Sequence, residues 1–562
     1  MLDQYVHKLF LEKRFSELVF FLENNDDEKN SKILNVLGVS RILTNKNEKN
    51  LNLSIKDFEN SYLKEKKTKN GLDGLINFIN AVIDLYSLDK SNQMNIDYSY
   101  KFNQCIKYYE EAEIFFGNNQ DLIIAIIRVY KRLNILEKIL FYYDILLKEK
   151  KLNLNVIVSL IFYNNYTKKW SQKDFYNYSQ LVEKYSKEYP KEKLVNLKKS
   201  FKKESIIKVG FLSSDIVGNH SITYFLKSIF QNYEKDKFEI YLFLSNKIDD
   251  ENTLFFKKLV NKSYKIYNLN DLDSINLIRN CKIDIIFDLN GLTSFHRTSL
   301  LKNRLAPIQI SWLGYCNTIG LKQIDYLIAD KNLIYPDEQK YYNEKIIYLP
   351  DIWSSHCGFE FKKGTTKAPL LSNEYITFGS FNNYSKINKN VLSVWSLILS
   401  KIKDSRLILK SSVKREISEI KKYFIERDIE KKVIFYDKDN SFESHLNLYN
   451  EIDIALDTFP YNGVTTTFES LWMNVPVLTM KGYNFNSRCG ESIIKNLGVN
   501  ELIAQNEKDY VDKAIDLSKD KKKLENLKKI IYEKSISSPL FDSKKFSINF
   551  FNLIKKVYLE NC

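Results

Sequence analysis

The spacing of apolar residues changes once along this chain, near residue 206. Up to about 198, apolar positions recur every three or four residues, in runs such as 15–21, 33–43, 75–86, 122–133, 139–147 and 156–163, which predicts helices throughout. Glycine and proline are scarce there, and short polar turns such as 24–29 and 117–121 separate segments of helix-pair length. Stacked helix pairs predict a solenoid over 1–198; an ordinary all-helical domain is the plainer alternative. From IIKVGFLSSD (206–215) onward, buried-strand runs alternate with helical ones: 241–244, DIIFDLNG (284–291), IQISWLG (308–314), DYLIAD (325–330) and KIIYLP (345–350), with helices near 251–262 and 272–280. That alternation predicts a parallel sheet with helices on both faces.

A second series follows 358–374, a linker with Gly364, Thr365, Thr366 and Pro369. ITFGSFNN (376–383), SRLILKS (405–411), VIFYD (433–437), the run 453–457 and VPVLTM (475–480) read as strands, with helices over 388–402, 414–427 and 441–450. The expected organisation is a helical domain over 1–198 and two α/β domains, 206–372 and 373–562. A cleft between the carboxyl ends of their strands is where such folds take ligands. In the helical part, one repeat fits the tetratricopeptide pattern if a four-residue insertion is allowed, with Leu37 and Gly38 in its first helix and Ser54, Phe58 and Ser61 in its second.

The stretch DIALDTFPYNGVTTTFE (453–469) predicts a strand, a tight turn at Pro460, Asn462 and Gly463, and a helix opening at Thr465 and Thr466. Free N–H groups, the positive end of the helix dipole and the threonine hydroxyls suit a phosphate or diphosphate. Glu469, one turn further in, suits a ribose. The plainer alternative is a helix capped by threonine. Four polar clusters also follow strands. SSDIVGNHS (213–221) places His220 beside Asp215, a pattern suited to proton transfer. In WLGYCNTIG (312–320), Gly314 lets the backbone approach a ligand. SFNNYSKIN (380–388) offers Lys386 as a point charge for a diphosphate. His445, opening the helix after VIFYD, suits stacking on a base, with a helix-surface histidine as the alternative.

Composition narrows the classes. Hydrophobic residues make up 44% of the 562 positions, enough for several cores. The net charge of +15 invites a nucleic-acid reading, but lysine is interleaved with Asp and Glu and no arginine-rich groove or nucleic-acid motif accompanies it, so no nucleic-acid partner is expected. The six cysteines lie far apart without zinc spacing, and free thiols in a reducing compartment are expected. No run approaches the ~20 apolar residues of a membrane span and the first residues lack a secretory core; a cytoplasmic protein is expected. The acidic pairs DLD (271–273) and DKD (437–439) are discounted as metal ligands, and neither a metal nor a cofactor is expected.

VGFLSSDIVGNHSITYFLKSI, APIQISWLGYCNTIGLKQIDYLIAD, FGSFNNYSKINKNVLSVWSLIL and DIALDTFPYNGVTTTFESLWMNVPVLTM together resemble the bacterial branch of the O-GlcNAc transferase and SPINDLY-like glycosyltransferases, in one order from about 207 to 520. The resemblance implies a GT-B fold of two Rossmann-like, doubly wound domains preceded by an all-α region of tetratricopeptide-like repeats. It implies an inverting, metal-independent transfer of a sugar, GlcNAc from UDP-GlcNAc, to Ser or Thr of a polypeptide lying along the repeats. His220 would stand at the sugar and acceptor side, with Asp215 a candidate for moving the acceptor's proton. Lys386, helped by Thr465 and Thr466, would stabilise the leaving diphosphate; Glu469 would hold the ribose, His445 would stack on uracil, and the backbone at Leu313 and Gly314 would lie near the sugar.

The chain also departs from the animal enzymes. Val464 stands where they have a histidine after the Asn-Gly turn, and Phe442 where they have a ribose-contacting lysine. The solenoid-side histidine once considered a base has no counterpart, since only Tyr163 and Tyr166 stand nearby. O-fucosyl transfer from GDP-fucose, asparagine glucosylation from UDP-glucose and a non-catalytic repeat scaffold remain alternatives.

Overall fold

The computed structural model describes residues 2–25, 28–92, 98–197, 205–218, 220–411, 414–436 and 441–561. Contacts divide the chain into two compact units, Met1–Val156 and Ile157–Cys562. In the first, the described residues form eight helices: Leu2–Leu11, Phe15–Glu23, Ser31–Thr44, Glu48–Lys64, Lys69–Asn92, Ser99–Phe116, Gln120–Arg132 and Leu136–Lys148. The abundant asparagine serves as helix caps, Asn30, Asn47 and Asn119 each accepting from the backbone N–H three residues on, which satisfies an otherwise orphaned donor.

The repeat read from Leu37 to Ser61 folds as a tight helix pair. A Cβ on Gly38 would lie 2.6 Å from the Phe58 ring, Ser54 Oγ donates to the Gly38 carbonyl at 2.8 Å, and the Ser31 and Ser61 hydroxyls each donate to the other's carbonyl at 2.8 Å. Small residues at the crossing let the two backbones come close. Gly38→Ala is therefore expected to destabilise the full chain by about 1–3 kcal/mol through overpacking, checked by thermal or urea unfolding.

The helix Leu154–Asn164 runs across the boundary, and the second unit continues with the helix Gln172–Tyr185 into two wholly parallel sheets. The first has strands β1 Ile207–Ser213, β2 Phe238–Leu244, β3 Lys262–Lys265, β4 Ile285–Asp288, β5 Ile308–Ser311, β6 Tyr326–Ala329 and β7 Lys345–Tyr348, in the order β3-β2-β1-β4-β5-β6-β7. The second has β8 Ile376–Ser380, β9 Ser405–Lys410, β10 Val433–Tyr436, β11 Ile454–Leu456, β12 Val477–Met480 and β13 Ile503–Ala504, in the order β10-β9-β8-β11-β12-β13. Each order reverses once, between β1 and β4 and between β8 and β11, and ligands of such sheets sit at the carboxyl ends of those strands. This is the GT-B arrangement of two Rossmann-like domains.

Three features differ from the sequence expectation. The helix expected over 251–262 ends at Leu259, and the half-exposed KSYK then forms the edge strand β3; an edge strand does not need the apolar run that betrays a central one. The stretch 441–450 splits into an α-helix, Phe442–Asn447, and a tighter turn, Leu448–Glu451. The last helix, Ser543–Glu560, returns to the first sheet: Phe550 lies 4.6 Å from Trp312 and 5.4 Å from Phe287, and Phe551 4.7 Å from Phe238, centroid to centroid. Among the described residues, no helix is long and apolar enough to cross a membrane.

Candidate active site

Asp215 and His220 follow β1, Lys386 follows β8 and residues 462–469 follow β11, at the two strand-order reversals, while Leu313 and Gly314 follow β5 and His445 lies in the helix after β10. In the second sheet, β11 runs into Asp457, a buried carboxylate that organises the loop after it. Its Oδ1 accepts from the Thr458 and Gly463 N–H groups at 2.8 and 2.7 Å, and its Oδ2 from the Thr479 hydroxyl at 2.7 Å. Burial pushes the Asp457 acid up to about 6, against the pull of those bonds and of Lys386. Asn462 is buried, its side chain donating to the Thr458 carbonyl at 2.9 Å and accepting from the Gly490 N–H at 3.2 Å. A Cβ on Gly463 would stand 2.3 Å from Thr466 Oγ1 and 2.7 Å from Asn382 Oδ1. Only glycine lets the loop close over the helix start.

The helix Thr465–Trp472 has Val464 as its N-cap, with no side-chain capping bond. The capped-threonine alternative therefore fails. The Thr466 hydroxyl instead donates to Asn382 at 3.0 Å and that of Thr467 to the Gly463 carbonyl at 2.9 Å. The N–H groups of Val464, Thr465 and Thr466 meet no acceptor among the described residues. Unpaired donors at the positive end of a helix form an anion site. Lys386, in the short turn Tyr384–Lys386 after β8, reaches the same loop, its Nζ donating to the Asn462 carbonyl at 2.8 Å. Burial lowers the lysine's pKa, and Asp457 opposes the shift.

A second group lies one helical turn deeper. His445 Nε2 meets Glu469 Oε2 at 3.1 Å, the Tyr449 hydroxyl donates to the same oxygen at 2.9 Å, and Lys410 Nζ meets His445 Nδ1 at 2.9 Å. An ammonium has only donors, so Nδ1 is the acceptor and Nε2 carries the proton that Glu469 receives. The imidazole is thereby held in one tautomer and one orientation, ringed by Phe381, Phe442 and Tyr449 at 5.6–5.9 Å. Sequence reasoning missed Lys410 and Tyr449. Phe442 stacks on Tyr224, 5.9 Å away, from the helix Ser221–Phe230 of the first domain.

In the first domain, Asp215 follows β1 and is held by Ser214 Oγ at 2.7 Å and Asn290 Nδ2 at 2.9 Å. Behind it lies Asp288, pushed up to about 6 chiefly by burial, with the Asp215 charge adding to the push. His220 caps the helix Ser221–Phe230, Nδ1 accepting from the Ile222 N–H at 3.5 Å, and its side chain is exposed. Among the described residues no hydrogen bond joins it to Asp215. Leu313 has φ +78° and the Gly314 N–H donates to the Trp312 carbonyl at 3.1 Å, a tight turn that costs about 1–3 kcal/mol. A Cβ on Gly314 would lie 1.8 Å from the Leu289 carbonyl oxygen, so this turn packs directly on the loop after β4. Of the two acidic pairs, Asp271 binds Arg297 at 3.2 Å and Asp273 bonds Asn270 at 2.7 Å, while 437–439 lies outside the described residues. Among those residues, no three His, Cys, Asp or Glu side chains cluster as a metal site.

The sequence profile of glycosyl transferase family 41 matches residues 179–357 and 363–550, which carry both sheets and every residue named above in them. The chain belongs to glycosyl transferase family 41. Curated relatives include the Solanum lycopersicum protein named "Probable UDP-N-acetylglucosamine--peptide N-acetylglucosaminyltransferase SPINDLY", 34% identical over 63% of this chain and 39% of that protein. The Arabidopsis thaliana protein of the same name is 31% identical over 64% of this chain and 40% of its own length, and the Arabidopsis thaliana SEC protein 25% identical over 63% and 37%. The chain thus spans about two-fifths of the length of these family 41 relatives. Among solved structures, a mutant of Thermobaculum terrenum O-GlcNAc transferase superposes with a TM-score of 0.79 over 95% of this chain and 99% of that one, at 19% identity, a likeness of fold.

Proposed function

We propose that this chain transfers N-acetylglucosamine from UDP-N-acetylglucosamine to serine or threonine hydroxyls of a polypeptide, inverting the anomeric carbon. The observation that carries the reading is the Lys386 ammonium, fixed on the Asn462 carbonyl at 2.8 Å beside the three unpaired N–H groups of 464–466. A diphosphate fits that cradle, and family membership together with the names of the plant relatives supports a UDP-sugar and a peptide. The acceptor oxygen attacks the anomeric carbon, the bond to the diphosphate breaks, and charge gathers on the phosphate oxygen nearest Lys386. This supply of positive charge needs no metal. Glu469 accepts from the ribose hydroxyls and the His445 ring stacks on the base, while Asp215 or His220 takes the acceptor's proton and the turn at Leu313 and Gly314 lines the sugar. The helical repeats carry the polypeptide, and the reaction belongs to the cytoplasm.

The test is a thermal-shift series with UDP, UDP-GlcNAc, UDP-glucose, GDP and GDP-fucose. A ligand at 100 times its Kd stabilises the native state by about 2.7 kcal/mol, and UDP compounds are expected to raise the melting temperature in wild type but not in Glu469→Ala. Stabilisation by GDP-fucose alone would replace the donor assignment with O-fucosyl transfer. Turnover of UDP-glucose onto asparagine would replace the acceptor, and no response to any nucleotide would leave a scaffold.

A further inference from the structure

Lys386 has a second support besides the Asn462 carbonyl, and it reaches back to the segment that precedes the first sheet. Its Nζ lies 4.3 Å from the centroid of the Tyr461 ring, within the distance at which the negative face of an aromatic ring attracts a cation. That ring stacks on Tyr166, with centroids 4.9 Å apart and planes 25° from parallel. Tyr166 stands just past the helix Leu154–Asn164 and is 9% exposed. Its backbone is tied into the second domain by Asn388, whose Nδ2 donates to the Tyr166 carbonyl at 3.3 Å and to the Phe459 carbonyl at 2.8 Å. The Oδ1 of the same asparagine accepts from the Val391 N–H at 3.0 Å and so caps the helix Lys389–Lys401. A second tie is Asn486 Nδ2 on the Asn165 carbonyl at 3.5 Å. One asparagine thus sets Tyr166, the loop after β11 and the helix after Lys386 in fixed relation.

We infer that Tyr461 and Tyr166 are positioning residues that act through Lys386: as a stacked pair they hold its ammonium at one point in the cradle and keep water from it. The inference rests on the role proposed above for Lys386. A lysine stem has four rotatable bonds and a strongly hydrated head. A single carbonyl fixes the distance of that head but not its direction, and the ring face supplies the second restraint. Two of the three ammonium protons then remain for the leaving group. The groups that act on the ammonium are Asp457, whose charge favours it, and the thiols of Cys316 and Cys489. The Tyr461 and Tyr166 phenols are driven upward by burial and are neutral at neutral pH. Burial outweighs Asp457 and lowers the lysine's pKa, while the ring face favours its charged form, so exchanging the ring for leucine should shift the titration and phenylalanine should keep it.

The experiment uses the full chain as wild type, Tyr461→Phe, Tyr461→Leu and Tyr166→Leu, each with lysines reductively methylated with ¹³C-formaldehyde. The Lys386 resonance is assigned by its loss in Lys386→Ala and followed by pH titration. In wild type and Tyr461→Phe it should titrate alike, below the other lysines; in Tyr461→Leu and Tyr166→Leu the titration should shift away from that of wild type. Turnover of UDP-GlcNAc should follow, with kcat down about 10–10²-fold in Tyr461→Leu, donor KM little changed, the basic limb of the pH profile moved with the Lys386 titration, and both restored by Tyr461→Phe. A Lys386 titration unmoved by either leucine variant overturns the inference whether or not transfer is seen. If wild type transfers no sugar, the titration still decides the tyrosines while the proposed function falls on its own.

Discussion

Lys386→Ala should lower the rate of sugar transfer by about 10²–10³-fold, the usual loss when a preorganised donor to a developing negative charge is removed. Bond breaking places new charge on the leaving diphosphate, so the ammonium does more in the transition state than in the bound donor. A single-turnover measurement at saturating donor should therefore show most of the loss, with a smaller change in the affinity for UDP-GlcNAc. Folding should persist, because the contacts of the side chain among the described residues are one hydrogen bond, to the Asn462 carbonyl, and one ring, Tyr461. Lys386→Arg should not rescue the rate, since a planar guanidinium cannot sit as a point charge on both. A wild-type single-turnover rate in Lys386→Ala would remove this residue from the chemistry.

The architecture was legible because central parallel strands are buried on both faces and read as unbroken apolar runs. The runs that became β1, β4, β8 and β11 announce themselves, and the polar residues directly after them mark the strand-order reversals where a ligand sits. β3 has no such run, and β13 has two residues; neither carries a signal that spacing can detect. Within the site, Lys386, Asn462, Gly463, Thr465, Thr466, His445 and Glu469 were visible as residue types in suitable places. Their partnerships were not. Lys410 reads as the last residue of a strand and gains meaning only from His445, 35 residues on; Thr466 finds Asn382 across 84 residues. The threonine run looked like a cap, yet the cap position falls on Val464, which leaves the first N–H groups open. Which residue takes a cap depends on where the loop delivers the chain, and that is set by Asp457 holding the Gly463 N–H. Phe442 shows the converse: it looked like a lost ribose contact, and the structure gives it an aromatic neighbour in the other domain.

The largest stability effect should come from an ion pair with no signal in the sequence. Arg488, between the loop after β12 and the helix Cys489–Leu497, donates to both carboxylate oxygens of Glu338 in the first domain, at 2.6 and 2.8 Å. Both side chains are under one-tenth exposed. The guanidinium also donates to the Leu333 carbonyl at 3.1 Å and lies 4.1 Å from the Tyr335 ring, while Gln172 donates to Glu338 at 2.9 Å. The Arg488 contacts hold the Glu338 carboxyl below its ordinary pKa even though burial pushes the other way. Arg488→Met removes the partner and leaves that carboxylate buried, at an expected cost of about 3–5 kcal/mol; Glu338→Gln should cost less, because the amide oxygen can still accept from Gln172 and Arg488 and the guanidinium keeps the Leu333 carbonyl. The pair Arg488→Met with Glu338→Leu should regain much of the loss, since a buried ion pair exchanged for apolar groups of similar volume is often neutral. Thermal unfolding of Arg488→Met, Glu338→Leu and the double variant measures this, and the difference between the cost of the double variant and the sum of those two singles gives the coupling. Because Glu338 and Arg488 stand on facing domains, the single variants should also lose turnover beyond their loss of folded protein, whereas the double variant should recover stability and turnover together. Equal stability of Arg488→Met and wild type would mean that water reaches Glu338 and that the contact between the domains is looser than the bidentate pair implies.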